Sequence, residues 1–221
     1  MFISKIVNLP VSDFGMPKFE IKIRWILIAI LLPCIIKGIY VLIFNGEYVS
    51  SNMNGNEMFN TLSAGVAFTG IAAGFVEEMV FRGVILNALK KRWNMKVAVI
   101  VPSMLFGIVH VLGQDFSIGS CLLVIIAGTM VGVMFSMIAI ESGSVWNSGI
   151  VHAIWNIVII GGGLAIGEKM DPYSVMTYVL DSKVFAITGG EFGIESSVIS
   201  LIGYIIVAGI AFIMIKSNRK N

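Results

Sequence analysis

Six stretches of the chain run apolar for close to the ~20 residues that a helix needs to cross a bilayer. They cover residues 25–44, 62–89, 97–112, 118–140, 144–166 and 198–215 of 221. A water-soluble fold has no interior for so many apolar segments. The balance of residue types agrees: 13% of the chain is charged and 57% hydrophobic, against ~25% and ~45–50% in soluble domains. A soluble globule, a disordered chain and a disulfide scaffold are excluded. The net charge of +2 gives no footing for a nucleic-acid partner. Cys34 and Cys121 both lie in apolar runs and read as small core residues. The expected fold is an all-α, polytopic integral membrane bundle of about six transmembrane helices, because helices satisfy their own backbone in lipid.

The organisation follows from where the charges fall. Residues 1–24 form an N-terminal segment, residues 25–215 the membrane domain with a motif core at 60–160, and residues 216–221 a tail. The first segment mixes apolar and basic side chains (Phe2, Ile3, Lys5, Ile6, Phe19, Ile21, Lys22, Ile23, Arg24), which suits either an interfacial helix or a cytoplasmic tail. The first span is too long for a cleaved signal and carries Lys37. Eleven of the 15 Lys and Arg fall before span one, between spans two and three, or after span six. The positive-inside rule then puts both termini in the cytoplasm, and an even span count agrees. Abundant Ile, Met, Asn and Lys point to an AT-rich bacterial source and so to a bacterial cell membrane. The 167–197 loop, with turn signals at Asp171-Pro172 and Gly189-Gly190, is expected outside and receives no chemistry. Lys37 is expected to snorkel or to line a gap in the bundle and receives no role, and Glu141, at the end of span four, is expected to be solvated. Gly70/Gly74 and Gly128/Gly132 are assigned to close helix packing. No long-period repeat supports a duplicated transporter.

Six polar groups sit where lipid is expected: Glu77, Glu78, Arg82, His110, His152 and Asn156. Each charge at the bilayer centre costs at least ~2.5–3.5 kcal/mol, so such residues are read first as functional. Glu78 and Arg82 are i and i+4 and can pair on one helical face. Glu77 stands ~100° round the helix, leaving it to meet water, a histidine or a metal. Both histidines of the chain fall in spans, and each shares a face with a named neighbour: Phe106 with His110, His152 with Asn156. Taken singly, Glu78–Arg82 reads as a structural ion pair and either histidine as a core residue. Two carboxylates, two histidines and an amide on three helices read instead as a device for activating water. The helical rise puts Glu77 and His152 in the middle or cytoplasmic half of the membrane; His110, two residues before the end of its span, implies either a tilted helix that stops inside the bundle or a site nearer the outer side. A proton-coupled transporter would also use Glu and His chains.

The residues resemble a known family. Glu77-Glu78-Met79-Val80-Phe81-Arg82 is similar to the EExxxR motif of the CAAX protease and bacteriocin-processing family of intramembrane endopeptidases. Phe106-Gly107-Ile108-Val109-His110 is similar to its FxxxH motif, and His152-Ala153-Ile154-Trp155-Asn156 to its HxxxN motif. The match covers about residues 60–160; the family often has eight spans, and this chain shows six. The resemblance implies a hydrolase cleaving a membrane-associated peptide or protein within the bilayer. It implies Glu77 as the base that activates water, His110 as its helper, and His152 with Asn156 as donors to the oxyanion. Glu78 and Arg82 are then expected to organise the base helix. A catalytic zinc needs three protein ligands and a water, and Glu77, His110 and His152 could supply them; without an HExxH motif, metal-free water activation is the preferred version. The family's name-giving reaction removes three residues after a prenylated Cys, and its bacterial members are linked to bacteriocin and signal-peptide processing or immunity. The alternative is a non-catalytic bacteriocin-immunity or peptide-binding protein of the same fold.

Overall fold

The computed structural model describes residues 11–218, so the readings placed on Phe2, Ile3, Lys5, Ile6, Arg219 and Lys220 lie outside the described residues. Among the described residues, besides short 3-10 turns, seven helices are found: α1 (Ile23–Ile43), α2 (Gly55–Arg92), α3 (Met95–Val109), α4 (Ile118–Ser142), α5 (Val145–Ile160), α6 (Phe185–Thr188) and α7 (Val198–Asn218). The six expected spans correspond to α1–α5 and α7. Of these, α1, α2, α4 and α7 are long and apolar enough to cross a membrane, while α3 and α5, at 15 and 16 residues, are shorter apolar helices.

Caps explain where the helices begin and stop. Helix α2 starts before residue 62 because Asn54 and Glu57 form a capping box. The Asn54 side chain accepts from the N–H groups of Asn56 and Glu57, and the Glu57 carboxylate accepts from the N–H of Asn54. Asn94 and Ser117 cap α3 and α4 more simply, each side chain accepting from one N–H, of Val97 and of Ser120. Helix α4 stops at Gly143, whose φ of 73° only glycine adopts without strain. Helix α5 was expected to run to residue 166 but stops at Ile160, before Gly161-Gly162-Gly163.

The apolar residues after those glycines form a strand, which the sequence reading did not contain. Strands β1 (Gly46–Ser50), β2 (Leu164–Gly167) and β3 (Met176–Leu180) make a small sheet in the order β1-β3-β2. Strand β1 is antiparallel to β3, with Tyr48 opposite Tyr178; β2 is parallel to β3, with Ile166 opposite the same tyrosine. The sheet joins the end of α1 to the end of α5, so the 167–197 loop is a folded cap on the bundle.

Close backbone approach brings the three motifs together. A Cβ on Gly74 would lie 2.8 Å from the Cα of Ala153, next to His152. A Cβ on Gly128 would lie 2.6 Å from the Cα of Gly107, inside the FxxxH motif. Lipid tails are as apolar as the helices, so contact of this kind, rather than hydrophobic burial, holds such pairs. Both glycine pairs thus have the packing role expected of them.

Buried charges tie the ends. Glu141 is not solvated as expected: it is 7% exposed and accepts from Arg24 Nη2 at 2.5 Å and Trp25 Nε1 at 3.0 Å. Its position at the end of α4 is covered by the start of α1, which the sequence did not disclose. Of the two readings of Lys37, the gap in the bundle fits: its ammonium donates to the carbonyls of Val158 and Leu164, tying α1 to the end of α5. A cation is favoured at a helix C-terminus.

Candidate active site

The long helix α2 is not uniform. Two π-helical segments, Gly65–Ala72 and Met79–Ile85, bracket one α-helical stretch, Ala73–Glu78, that ends in the two carboxylates. Wider turns shift the hydrogen-bond ladder by one residue and are frequent at functional sites. In the first of them the carbonyl of Thr69 accepts from Asn156 Nδ2 at 2.9 Å, fastening α5 to α2 about two turns before Glu77.

Glu78 and Arg82 are buried and pair through Oε1 and Nη1 at 2.7 Å. Arg82 Nη2 also donates to the Gly132 carbonyl at 2.9 Å, so the ion pair reaches α4. The guanidinium carbon stands 4.7 Å from the centre of the Phe106 ring and 5.3 Å from that of Phe135, faces that attract a cation. The same Glu78 Oε1 lies 3.2 Å from His152 Nδ1. A carboxylate paired with arginine can only accept, so Nδ1 carries the hydrogen, and His152 Nε2 turns toward Glu77 Oε2 at 3.8 Å. Phe135 stacks on the imidazole at 4.5 Å and fixes its plane. Arg82, Glu78, His152 and Glu77 therefore lie in one row across two helices. Glu78 orients the histidine, not only its own helix.

His110 is held differently. It caps α3, and its Nδ1 lies 2.6 Å from the Phe106 carbonyl. A carbonyl cannot donate, so Nδ1 carries the hydrogen and Nε2 is left as an acceptor. Glu77, His110, His152 and Asn156 line a single cavity of about 240 Å³, while Glu78 and Arg82 back it without lining it. Among the described residues, no three His, Cys, Asp or Glu side chains converge closely enough to hold a metal ion. Glu77, His110 and His152 thus share a cavity without fitting a zinc site.

The cavity contains a residue that the sequence reading passed over. Glu195, in the short helical turn Ile194–Ser196 before α7, lines it together with Phe192 and Trp155. The loop assigned no chemistry therefore reaches the site. The cavity's neck, at Ile160, Phe192 and Glu195, faces the sheet end of the bundle; the basic end at residues 18–24 and 90–96 lies opposite. No periodicity marks Glu195, and only the placement of the loop over the bundle reveals it.

Glu195 keeps some exposed surface, yet its carboxyl group is ringed by protein, and burial pushes its pKa up from 4.5 to about 7 against the opposing pull of the Trp155 hydrogen bond. Because the folded value lies above the unfolded one, the group's contribution to stability is complete below ~4.5 and is lost as pH rises through about 7. Glu195→Gln is expected to flatten the fall in melting temperature between those two values. An unchanged slope in thermal scans of the detergent-solubilised variant would place the titration elsewhere.

Residues 59–158 match the family described as type II CAAX prenyl endopeptidase Rce1-like. The matched segment, somewhat under half of the chain, holds all six motif residues, and the family agrees with the one that the motifs resemble. No curated protein and no solved structure matches the chain. The apolar helices and the matched family agree with an integral membrane protein.

Proposed function

We propose that the chain is an intramembrane endopeptidase that hydrolyses a membrane-associated peptide or protein with water activated by Glu77. The observation that carries this reading is the convergence of Glu77, His110, His152 and Asn156 on one cavity, with His152 held between both carboxylates. Glu77 takes a proton from water as the oxygen adds to the scissile carbonyl. His110 Nε2, free to accept, orients that water. The negative charge that develops on the carbonyl oxygen is met by His152 Nε2–H in its protonated form and by the second hydrogen of the Asn156 amide. The proton held by Glu77 then passes to the leaving amine, and the C–N bond breaks. Glu78 and Arg82 keep His152 in the required orientation. Each step uses residues of the chain alone.

Asn156→Ala tests the donor role. Turnover is expected to fall about 10²–10³ with a modest change in KM, the scale for one lost oxyanion donor. Full turnover of a quenched-fluorescence membrane peptide by this variant would remove Asn156 from the reaction.

The orientation is part of the same reading: both termini cytoplasmic, the sheet and the 167–197 segment external. Support comes from the shared end of the basic segments, where Asp13 pairs with Lys91 at 3.0 Å and Arg24 with Glu141. In a background with Cys34 and Cys121 replaced by Ala, a cysteine at Glu191 is expected to react with an impermeant thiol reagent on intact cells, and one at Lys96 only after lysis. The reverse pattern would invert the topology.

A further inference from the structure

A second cavity of about 740 Å³ lies against the sheet and the turns that precede α7. It meets the catalytic cavity at Ile160, Phe192 and Glu195, which line both. Glu168, Asp171, Glu191 and Glu195 face the larger chamber, against the single cation Lys169. Three of those carboxylates are occupied in folding their own region. Glu168 accepts from the Thr188 hydroxyl at 2.5 Å, Asp171 from the Ser174 hydroxyl at 2.6 Å, and Glu191 from the Ser117 N–H at 2.8 Å.

Glu195 differs. Among the described residues its carboxyl takes one hydrogen bond, from Trp155 Nε1 at 3.3 Å, on one oxygen. A carboxylate has ~4 acceptor sites. Its backbone is nevertheless fixed: the Tyr204 hydroxyl donates to the Glu195 carbonyl at 2.9 Å, and Ser197 and Ser200 both donate to the carbonyl of Ile194. An acceptor with spare capacity, held rigidly at the neck between two cavities, is built to be filled from the chamber. The flanking Ile160 and Phe192 offer apolar surface of the kind that covers the stem of a long basic side chain. The excess of negative groups around the chamber raises the local concentration of cations.

We propose that Glu195 is a substrate-positioning residue that binds the cationic group of a basic residue flanking the scissile bond on the sheet side of the peptide. The inference rests on the endopeptidase reading of the adjoining cavity. It defines the substrate class as an apolar segment bearing one ammonium or guanidinium beside the cleavage site, joined by a charge-assisted hydrogen bond.

The test uses full-length Glu77→Gln protein in detergent, about one pH unit above 7 so that Glu195 is ionised. Fluorescent apolar peptides carry one Lys, or Met, at successive positions, with the N-terminus free or acetylated. Lys at one position is expected to tighten Kd about tenfold over Met, with no effect of acetylation. Adding Glu195→Gln should bring that ratio close to one, and Glu195→Lys should transfer the preference to a Glu-bearing peptide. If the Lys variant does not fold, the isosteric Gln variant still decides. Retention of the Lys preference in Glu195→Gln, the absence of any Lys preference, or dependence on a free N-terminus in place of Lys would overturn the assignment. Turnover of the same peptides by the Glu77 protein separates the two claims. Glu195-dependent binding without cleavage contradicts only the endopeptidase reading; cleavage without Glu195-dependent selectivity contradicts only this one.

Discussion

Glu77→Gln is expected to lower the cleavage rate by about 10²–10⁴, the share that a positioned base supplies, while the variant inserts, elutes and melts as the wild type does. The separation of activity from stability comes from how Glu77 is held. Its side chain is 32% exposed, and His152 Nε2 lies 3.8 Å from its Oε2, beyond hydrogen-bond range. Gln therefore leaves no buried partner stranded. It keeps the shape and loses only the capacity to take a proton. Kinetics and thermal melting on the same preparation check both halves: full turnover would remove Glu77 from the role of base, and loss of folded protein would make it a structural residue.

Arg82→Ala should do the opposite and strike the fold first. Arg82 is 1% exposed and Glu78 0%, and the guanidinium is the cation paired to that carboxylate. Removing it leaves a buried charge facing only His152, takes a donor from the Gly132 carbonyl, and opens a hole between Phe106 and Phe135. Breaking one partner of a buried pair costs ~3–5 kcal/mol. A steep loss of folded protein is expected, with activity lost alongside it. Arg82→Lys restores a charge but not the fork that joins Glu78 to α4, so partial recovery of stability is the expected result. Wild-type expression and melting of Arg82→Ala would show that Glu78 is not held by this pair.

The parts of the molecule legible in the sequence are those with a repeat or a cost attached. Apolar runs close to the thickness of a bilayer revealed the six helices. The cost of charge in lipid singled out Glu77, Glu78 and Arg82, and the i, i+4 spacing paired the last two as found. The glycine pairs mark backbone contacts because nothing larger fits at Gly74 or Gly128.

What escaped depends on contacts distant in the chain. Leu164–Gly167 is apolar and continues the α5 run, so it reads as helix; only pairing with β3 makes it a strand. Glu141 reads as a solvated helix end until Arg24 and Trp25, more than a hundred residues earlier, cover it. Lys37 reads equally as snorkelling or as lining a gap, and only the two carbonyls of a distant segment decide between them. Glu195 carries no local mark at all. The π-helical segments flanking Glu77 and Glu78 have ordinary helical sequences and come to light only in the hydrogen-bond ladder.

Residues 59–158 match a family of CAAX endopeptidases, and the geometry around His152 supports the proposed reaction. The claim that everything else depends on is that water, activated by Glu77, cuts a peptide bond in or beside the bilayer. Terminal-peptide mass spectrometry tests this most directly, on membranes carrying either the wild type or Glu77→Gln and incubated in water enriched in oxygen-18. The account predicts new C-termini within or at the edge of apolar segments, each carrying one solvent oxygen, present with the wild type and missing with Glu77→Gln. Identical sets of termini from the two membranes would contradict it.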